Sequence, residues 1–318
     1  VGFLCVALAP SVPVLLLGWV IVQIGYSSII ALLSSSMADR LPESQRGKVA
    51  GLAGVAQMAA SIIGVGIASM LTSSNLLLFL VPAALGAVAS LMFVLLVPEQ
   101  DSRDLTFDDR VSAKMILSKF VFDVRCHPDF SWNWLGRFLF NFGLTLATTF
   151  TTFFFAGKLD KPVDEIGGLV ATIGLVGLIA TMGGAGISGF LSDKLRRRRG
   201  FVFGSAILFA LGSTTMALAS DLPVLLLGTF LSNLGLGVFS AVDQALVLDV
   251  LPERDTEAGR YNAINQFSTT VPQALAPFAA PLVLALGEGR NYPLLYVFAG
   301  LFALVGGVII LSRVKSVR

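Results

Sequence analysis

Charged side chains are scarce in this sequence, and long stretches contain none. Asp, Glu, Lys and Arg make up 13% of the 318 residues, about half of the roughly 25% that soluble domains carry. A helix of about 20 apolar residues spans a bilayer. Uncharged runs of that length or more occupy residues 1–38, 49–98, 138–157, 166–192, 200–220, 222–242, 261–287 and 291–312. These runs exclude a soluble fold and predict a polytopic membrane protein.

Cysteine and histidine are almost absent as well. Cys5 and Cys126 lie far apart with no C-x-x-C spacing, and His127 is the only histidine. Metal centres, haem attachment sites and disulfide frameworks need more of these residues at defined spacings, so we predict no metal site and no cofactor. The sequence also lacks nucleotide-binding, H-E-x-x-H and G-x-S-x-G motifs and an intramembrane Asp pair. We therefore expect neither an enzyme nor a nucleic-acid partner.

The uncharged runs predict an all-α fold, because in hydrocarbon each backbone polar group must be bonded within its own segment. Gly, Ser and Pro residues divide the longest runs. A short first helix is predicted at 1–8, followed by nine spans at 12–36, 49–71, 75–97, 132–156, 166–191, 201–219, 222–247, 262–286 and 292–312. The chain begins with Val inside a hydrophobic run and has no signal-peptide pattern. We expect a chain truncated at its N-terminus.

Basic residues are distributed unevenly between the two sets of loops. Of the 22 Lys and Arg residues, 18 lie on one side, in the loops 39–48, 98–131, 193–200 and 248–261 and in the tail from 313. The loops on the other side hold three, and Arg137 falls inside a predicted span. Cytoplasmic loops carry the excess of basic residues. This pattern predicts an inner-membrane protein with a cytoplasmic C-terminus.

The loop 98–131 alternates charged and apolar residues, which is typical of an amphipathic helix on the membrane surface. It divides the chain into three predicted parts. Residues 1–97 would be the remainder of an N-terminal bundle, from the end of its third helix to its sixth. Residues 98–131 would be a cytoplasmic linker, and 132–318 a C-terminal bundle with helices 7–12.

An internal repeat relates the two predicted bundles. Residues 7–43 align without gaps to 217–253 at a constant offset of 210, with PVLLLG and D-x-LPE shared at the two ends. Apolar composition alone does not preserve Asp39 with Asp249. Both copies run in the same direction across the membrane, so this is a parallel repeat. At this offset, the counterpart of residue 132, where the second bundle begins, falls before residue 1, and we expect two helices and most of a third to be missing there.

The segment from Gly189 to Arg199, GFLSDKLRRRR, resembles the G-x-L-[AS]-D-[RK]-x-G-R-[RK] loop of the major facilitator superfamily. The family's second copy of this loop joins helices 8 and 9, and Arg196 replaces its usual Gly. The resemblance implies a two-bundle transporter fold with a gating motif at Gly189, Asp193, Lys194 and Arg197. In the family, the Asp would contact the N-terminus of a helix, here residues 47–51. For Arg198 and Arg199, a simple stop-transfer cluster remains an equal alternative.

A second segment, 241–281, is similar to bacterial facilitators related to glycoside–cation and sucrose symporters, through an LP…AG…N…PQ…AP pattern. This similarity implies a monomeric secondary transporter of a small solute in the lipid bilayer, with a sugar as the favoured class and a proton or cation as the coupling ion. A multidrug or metabolite efflux antiporter and a truncated relative that does not transport remain alternatives. The sequence does not identify the solute or the coupling ion.

Helices 1, 4, 7 and 10 line the central cavity in the superfamily, and three of them correspond to spans 12–36, 132–156 and 222–247. Polar residues recur on one face of each span at spacings of four, seven and eleven. Ser and Thr hydroxyls usually bond their own helix, so amides and charges are the better candidates. The candidate cavity residues are Gln23, Arg137, Asn141, Asn233, Asp243 and Gln244.

Arg137 and Asp243 are the only charged residues predicted well inside spans. Such charges are costly unless paired or hydrated, and they mark solute or ion paths by default. Their predicted depths match, and the repeat partner of Asp243 is the uncharged Leu33. We predict that they form an ion pair. It either takes part in coupling or only fixes the packing of two helices.

Overall fold

The computed structural model describes residues 1–40, 71, 74–96, 122–159, 167–252, 258–286 and 291–316, together with single positions between 56 and 67. Side chains in these segments are described except at 31, 34–40, 75, 167–169, 171, 193, 258 and 259. The predicted span 49–71 and the predicted amphipathic helix in 98–131 lie largely outside the described residues.

The described residues are helical almost throughout. Their helices are α1 (Gly2–Ala7), α2 (Val12–Arg40), α3 (Asn75–Leu96), α4 (Pro128–Thr149), α5 (Thr151–Leu159), α6 (Gly167–Leu195), α7 (Arg198–Leu218), α8 (Leu222–Val250), α9 (Ala258–Leu284) and α10 (Tyr292–Arg313). Seven of them are long and apolar enough to cross a membrane, or eight if α4 and α5 form one span. The prediction of an all-α polytopic fold is confirmed.

The chain divides into two compact units, Val1–Asp108 and Asp109–Arg318. In the first unit, α1 packs against α2 and α3. In the second, α8 packs against α6 and α7, while α10 packs against α4 and α7. Helix α9 packs against α4 and carries Pro272, Pro277 and Pro281 within its length. The second unit holds most of the candidate residues.

The predicted span 132–156 consists of two helices in the structure. Helix α4 ends at Thr149, and α5 begins at Thr151 at an angle of 51°. Around the break, the hydroxyls of Thr148, Thr149 and Thr151 donate to carbonyls three or four residues earlier in their own chain. Such back-bonding competes with the helical ladder and bends helices. The three threonine hydroxyls therefore favour a break at this point.

Arg196 adopts a left-handed backbone conformation, with φ of 49°, directly after α6 ends at Leu195. Glycine is the usual residue at this position because a side chain is strained there. The turn expected from the family motif is therefore present, although Arg196 replaces the glycine.

Helices α4 and α10 approach each other through glycines. A Cβ atom added at Gly136 would lie 2.7 Å from the carbonyl oxygen of Gly306 and in contact with Ile310. Small residues allow membrane helices to pack at such short range. This packing fixes the backbone of α4 at the residue that precedes Arg137.

Candidate functional site

Arg137 and Asp243 form an ion pair between α4 and α8. Arg137 Nη1 lies 2.5 Å from Asp243 Oδ2, and the two side chains are only 8% and 3% exposed. The other terminal nitrogen of the guanidinium, Nη2, donates a long hydrogen bond of 3.5 Å to Thr269 Oγ1 on α9. Three helices of the second unit therefore meet at one buried charge pair.

The charge pair lies well inside the helices. Arg137 follows the start of α4 at Pro128 by nine residues, and Asp243 precedes the end of α8 at Val250 by seven. At 1.5 Å per residue, these separations correspond to about 14 Å and about 10 Å along the helix axes. An isolated charge at this depth costs several kcal/mol or more, so pairing is needed to keep both groups there. The predicted pairing is present, and its role in coupling stays a prediction.

Aromatic rings cover one side of the pair. Phe140 and Phe239 stack with ring centroids 3.7 Å apart and planes 7° apart. Phe140 follows Arg137 by three residues on α4, and Phe239 precedes Asp243 by four on α8, so both rings lie on the same side of the pair. Both side chains are buried. An aromatic stack therefore covers this side of the pair.

The other candidate cavity residues do not join the pair as a group. Asn141 is buried one turn from Arg137, and its Nδ2 donates a 2.9 Å hydrogen bond to the Arg137 carbonyl oxygen. Asn233 is half-buried, and its Nδ2 donates to the Thr229 carbonyl oxygen at 2.9 Å. Gln244 is exposed, and so is Gln23 on α2 in the first unit. Only Asn141 thus lies beside Arg137 and Asp243.

Asn233 lines a separate cavity of about 220 Å³ in the second unit, between α4, α5, α6, α7, α8 and α10. Ten residues separate Asn233 from Asp243 on α8, about 15 Å along the helix. The volume is below the range of about 300–1,000 Å³ that is usual for small-molecule sites.

Among the described residues, no three His, Cys, Asp or Glu side chains could hold a metal ion together.

Two buried amides near the pair were missed by the sequence analysis. Asn133 precedes Arg137 by four residues on α4, and Asn265 precedes Thr269 by four on α9. Asn133 is 0% exposed and Asn265 is 5% exposed. The spacing of four between Asn133 and Arg137 was a usable signal, but Asn133 stands close to the predicted start of its span. Asn265 lies on a helix that was not assigned to the cavity.

Comparison with known proteins places this architecture in a family. The sequence profile described as Major Facilitator Superfamily matches residues 1–188 and 167–317, which together cover almost the whole chain. The chain belongs to the Major Facilitator Superfamily. The two matched ranges overlap at residues 167–188.

Two curated relatives match parts of this superfamily member. The arabinose-proton symporter of Bacillus subtilis (strain 168) is 33% identical over 85 residues, which is 27% of this chain and 18% of the symporter. The high glucose sensor of Saccharomyces cerevisiae is 27% identical over 114 residues, which is 34% of this chain and 14% of the sensor. The chain thus spans less than a fifth of the length of either relative in these matches.

The superfamily's loop motif lies at the end of α6 and in the turn that follows. A Cβ added at Gly189 would meet Ala241 of α8 at 3.9 Å, an ordinary contact, so packing within this unit does not require glycine there. Lys194 and Arg197 are exposed. The Asp193 side chain and residues 47–51 lie outside the described residues, and their contact stays a prediction.

Arg198 and Arg199 do more than mark the end of a span. Arg198 Nη1 lies 2.6 Å from Asp249 Oδ2 and donates to the Ala245 carbonyl oxygen at 2.9 Å, which joins α7 to the end of α8. The Arg199 guanidinium donates to the Val314 carbonyl oxygen directly after α10. The D-x-LPE repeat could have indicated this pair, because it singles out Asp249 at the end of α8.

Proposed function

We propose that the protein is a secondary active transporter of a small solute, with sugars as the substrate class, that works by alternating access. The observation that carries the proposal is the buried Arg137–Asp243 pair inside a helical bundle of this superfamily. Ionisable residues at such depth mark ion or solute paths by default. The name of the Bacillus relative supports a sugar as solute and a proton as coupling ion.

In this proposal, Asp243 exchanges its partner during the transport cycle. While it is paired with Arg137, the carboxylate is charge-neutralised and sits in a closed environment. When the bundle rearranges, Asp243 would take up a proton or a cation in place of the guanidinium. The pair would thereby link the position of an ion to the side on which the cavity is open, which is the requirement for coupling.

A sensor that binds a sugar without transporting it is a second candidate, favoured by the similarity to the yeast glucose sensor. The two candidates differ in what happens after binding. A sensor needs a change of shape on binding, whereas a transporter must release the solute on the opposite side. Counterflow measurements separate the two directly.

The test uses purified protein in liposomes loaded with unlabelled arabinose or glucose and diluted into a trace of the labelled sugar. We expect saturable counterflow above that of protein-free liposomes, and net uptake that increases with an imposed inward proton gradient. A protein that is stabilised against heat by the sugar but shows no counterflow would favour the sensor. A folded protein with neither response would overturn sugars as the substrate class.

We also propose that the loops rich in Arg and Lys face the cytoplasm of an inner membrane, together with the C-terminus. In a background with Cys5 and Cys126 changed to Ser, Arg197→Cys should resist a membrane-impermeant thiol reagent added to intact cells. Asp160→Cys should react with it. Labelling of position 197 but not of position 160 would reverse the orientation.

A further inference from the structure

Two buried amides beside the charge pair have polar atoms without a hydrogen-bond partner among the described residues. These atoms are Asn133 Oδ1, Asn133 Nδ2 and Asn265 Oδ1. Buried amide groups are rarely left unsatisfied in native structures, because each loses its hydrogen bonds to water on burial. An unpaired set of this kind therefore needs a ligand or a bound solvent molecule to explain it.

The two amides occupy the same level between α4 and α9. Trp134 Nε1 of α4 donates to the Ile264 carbonyl oxygen of α9 at 2.9 Å. A second contact joins Arg137, three residues later on α4, to Thr269, five residues later on α9. The helices therefore run parallel where they touch. Asn133 shares a helical face with Arg137, and Asn265 shares one with Thr269. Asn133 thus lies one turn from Arg137, and Asn265 one turn from Thr269, both toward the N-terminal ends of their helices.

The pair has different neighbours on its two sides, and the buried amide of Asn141 lies on the same side as the Phe140–Phe239 stack. Toward the C-terminal end of α4, the Phe140–Phe239 stack closes the pair. One further turn toward the N-terminal ends, the rings of Phe130 and Tyr261 form a T-shaped contact, with centroids 5.5 Å apart. Both of these side chains are also buried. Along α4, Asn133 therefore lies between two buried aromatic contacts.

We propose that Asn133 and Asn265 form a buried water-binding site that hydrates the Arg137–Asp243 pair from the N-terminal side of α4. Arg137 Nε and Asp243 Oδ1 of the pair also have no hydrogen-bond partner among the described residues, so water held by the amides has atoms of the pair to bond. A buried water typically makes roughly three hydrogen bonds. A metal cation fits less well, because Arg137 already neutralises Asp243, the carboxylate of this site. Hydration of the site does not require transport. Its use as the proton's route to Asp243 rests on the proposed function.

Hydroxyl-radical footprinting of the native protein in detergent tests this site, because X-ray radiolysis of bound water oxidises the side chains beside it. Phe130 and Phe140 are a matched pair on α4, with 1% and 0% exposure. We expect Phe130 to be oxidised severalfold faster than Phe140. The double variant Asn133→Leu/Asn265→Leu should lower the rate at Phe130 to that of Phe140 and leave other positions unchanged.

Equal rates at Phe130 and Phe140 in the native protein would overturn the water site. A fast rate at Phe130 that persists in the double variant would also overturn it, because the oxidant would then come from bulk solvent. If the double variant does not fold, Asn265→Leu alone should give a partial decrease. A bound metal cation would instead show itself as salt-specific protection against heat, which we do not expect.

The same variants separate this inference from the proposed function. If water in this site supplies protons to Asp243, Asn133→Leu/Asn265→Leu should slow gradient-driven uptake and leave sugar exchange unchanged. Loss of the footprint without any change in uptake would retain the water site and remove its role as a proton route. If the protein transports nothing, the footprint alone decides whether the site holds water.

Discussion

Two carboxylates on α8, six residues apart, form ion pairs of opposite character. Asp243 pairs with Arg137 in an interior where both side chains are less than a tenth exposed. Asp249 pairs with Arg198 at the helix end, where the side chains are 34% and 24% exposed. The internal repeat also distinguishes the two carboxylates. Asp249 matches Asp39 in the other copy, whereas Asp243 matches Leu33.

The outer carboxylate therefore has a counterpart in the first copy of the repeat, and the inner carboxylate does not. A charge that the scaffold does not require, placed where charges are costly, needs a reason other than folding. We infer that the inner pair serves coupling and that the outer pair serves helix packing. Each prediction below tests this contrast.

The largest effect on stability should come from removing one partner of the inner pair. Arg137→Met leaves the Asp243 carboxylate buried without its cation, which should cost about 3–5 kcal/mol. Arg198→Met, the matched change in the outer pair, should cost about 0–1 kcal/mol because water solvates Asp249. Denaturant unfolding in detergent measures both. Equal losses would contradict the contrast.

The double variant Arg137→Met/Asp243→Leu should recover most of the lost stability, because apolar residues of similar volume often replace buried ion pairs without loss. A double variant as unstable as Arg137→Met alone would show that the two residues do not act as a pair.

A smaller effect should follow from moving the backbone beside each pair. Gly136→Ala pushes α4 away from α10, because the new Cβ would lie 2.7 Å from the Gly306 carbonyl oxygen. Overpacking of this kind costs about 1–3 kcal/mol, and it should weaken gradient-driven uptake by displacing Arg137. Gly200→Ala, near Arg198, meets no atom within 4 Å and should be neutral. Thermal unfolding and uptake assays check both variants.

The smallest effect should come from the outer carboxylate. Asp249→Asn removes a partly exposed ion pair, and such pairs contribute about 0.2–1 kcal/mol to stability. High salt should diminish the difference in stability from the native protein, because it screens the pair. Gradient-driven uptake should remain. Loss of uptake in folded Asp249→Asn protein would contradict the assignment of coupling to the inner pair.

The sequence predicted the helical segments well, because uncharged runs of about 20 residues have few alternatives in a bilayer. The break after Thr149 was missed, since four threonines among phenylalanines are apolar enough to extend a span. The Arg137–Asp243 pair was predictable because two charges at matching depth have to be satisfied. Asn133 and Asn265 were not found, because the partners of an uncharged amide depend on how neighbouring helices are rotated.

The central claim is that Asp243 couples an ion gradient to solute movement, and Asp243→Asn tests it most directly. Gradient-driven uptake and solute exchange are measured side by side in liposomes that contain equal amounts of folded native or variant protein. Exchange needs no net ion movement, so we predict that the variant loses gradient-driven uptake and keeps exchange. Uptake in Asp243→Asn that matches the native protein at every pH and gradient would contradict the claim and leave Asp243 with a structural role.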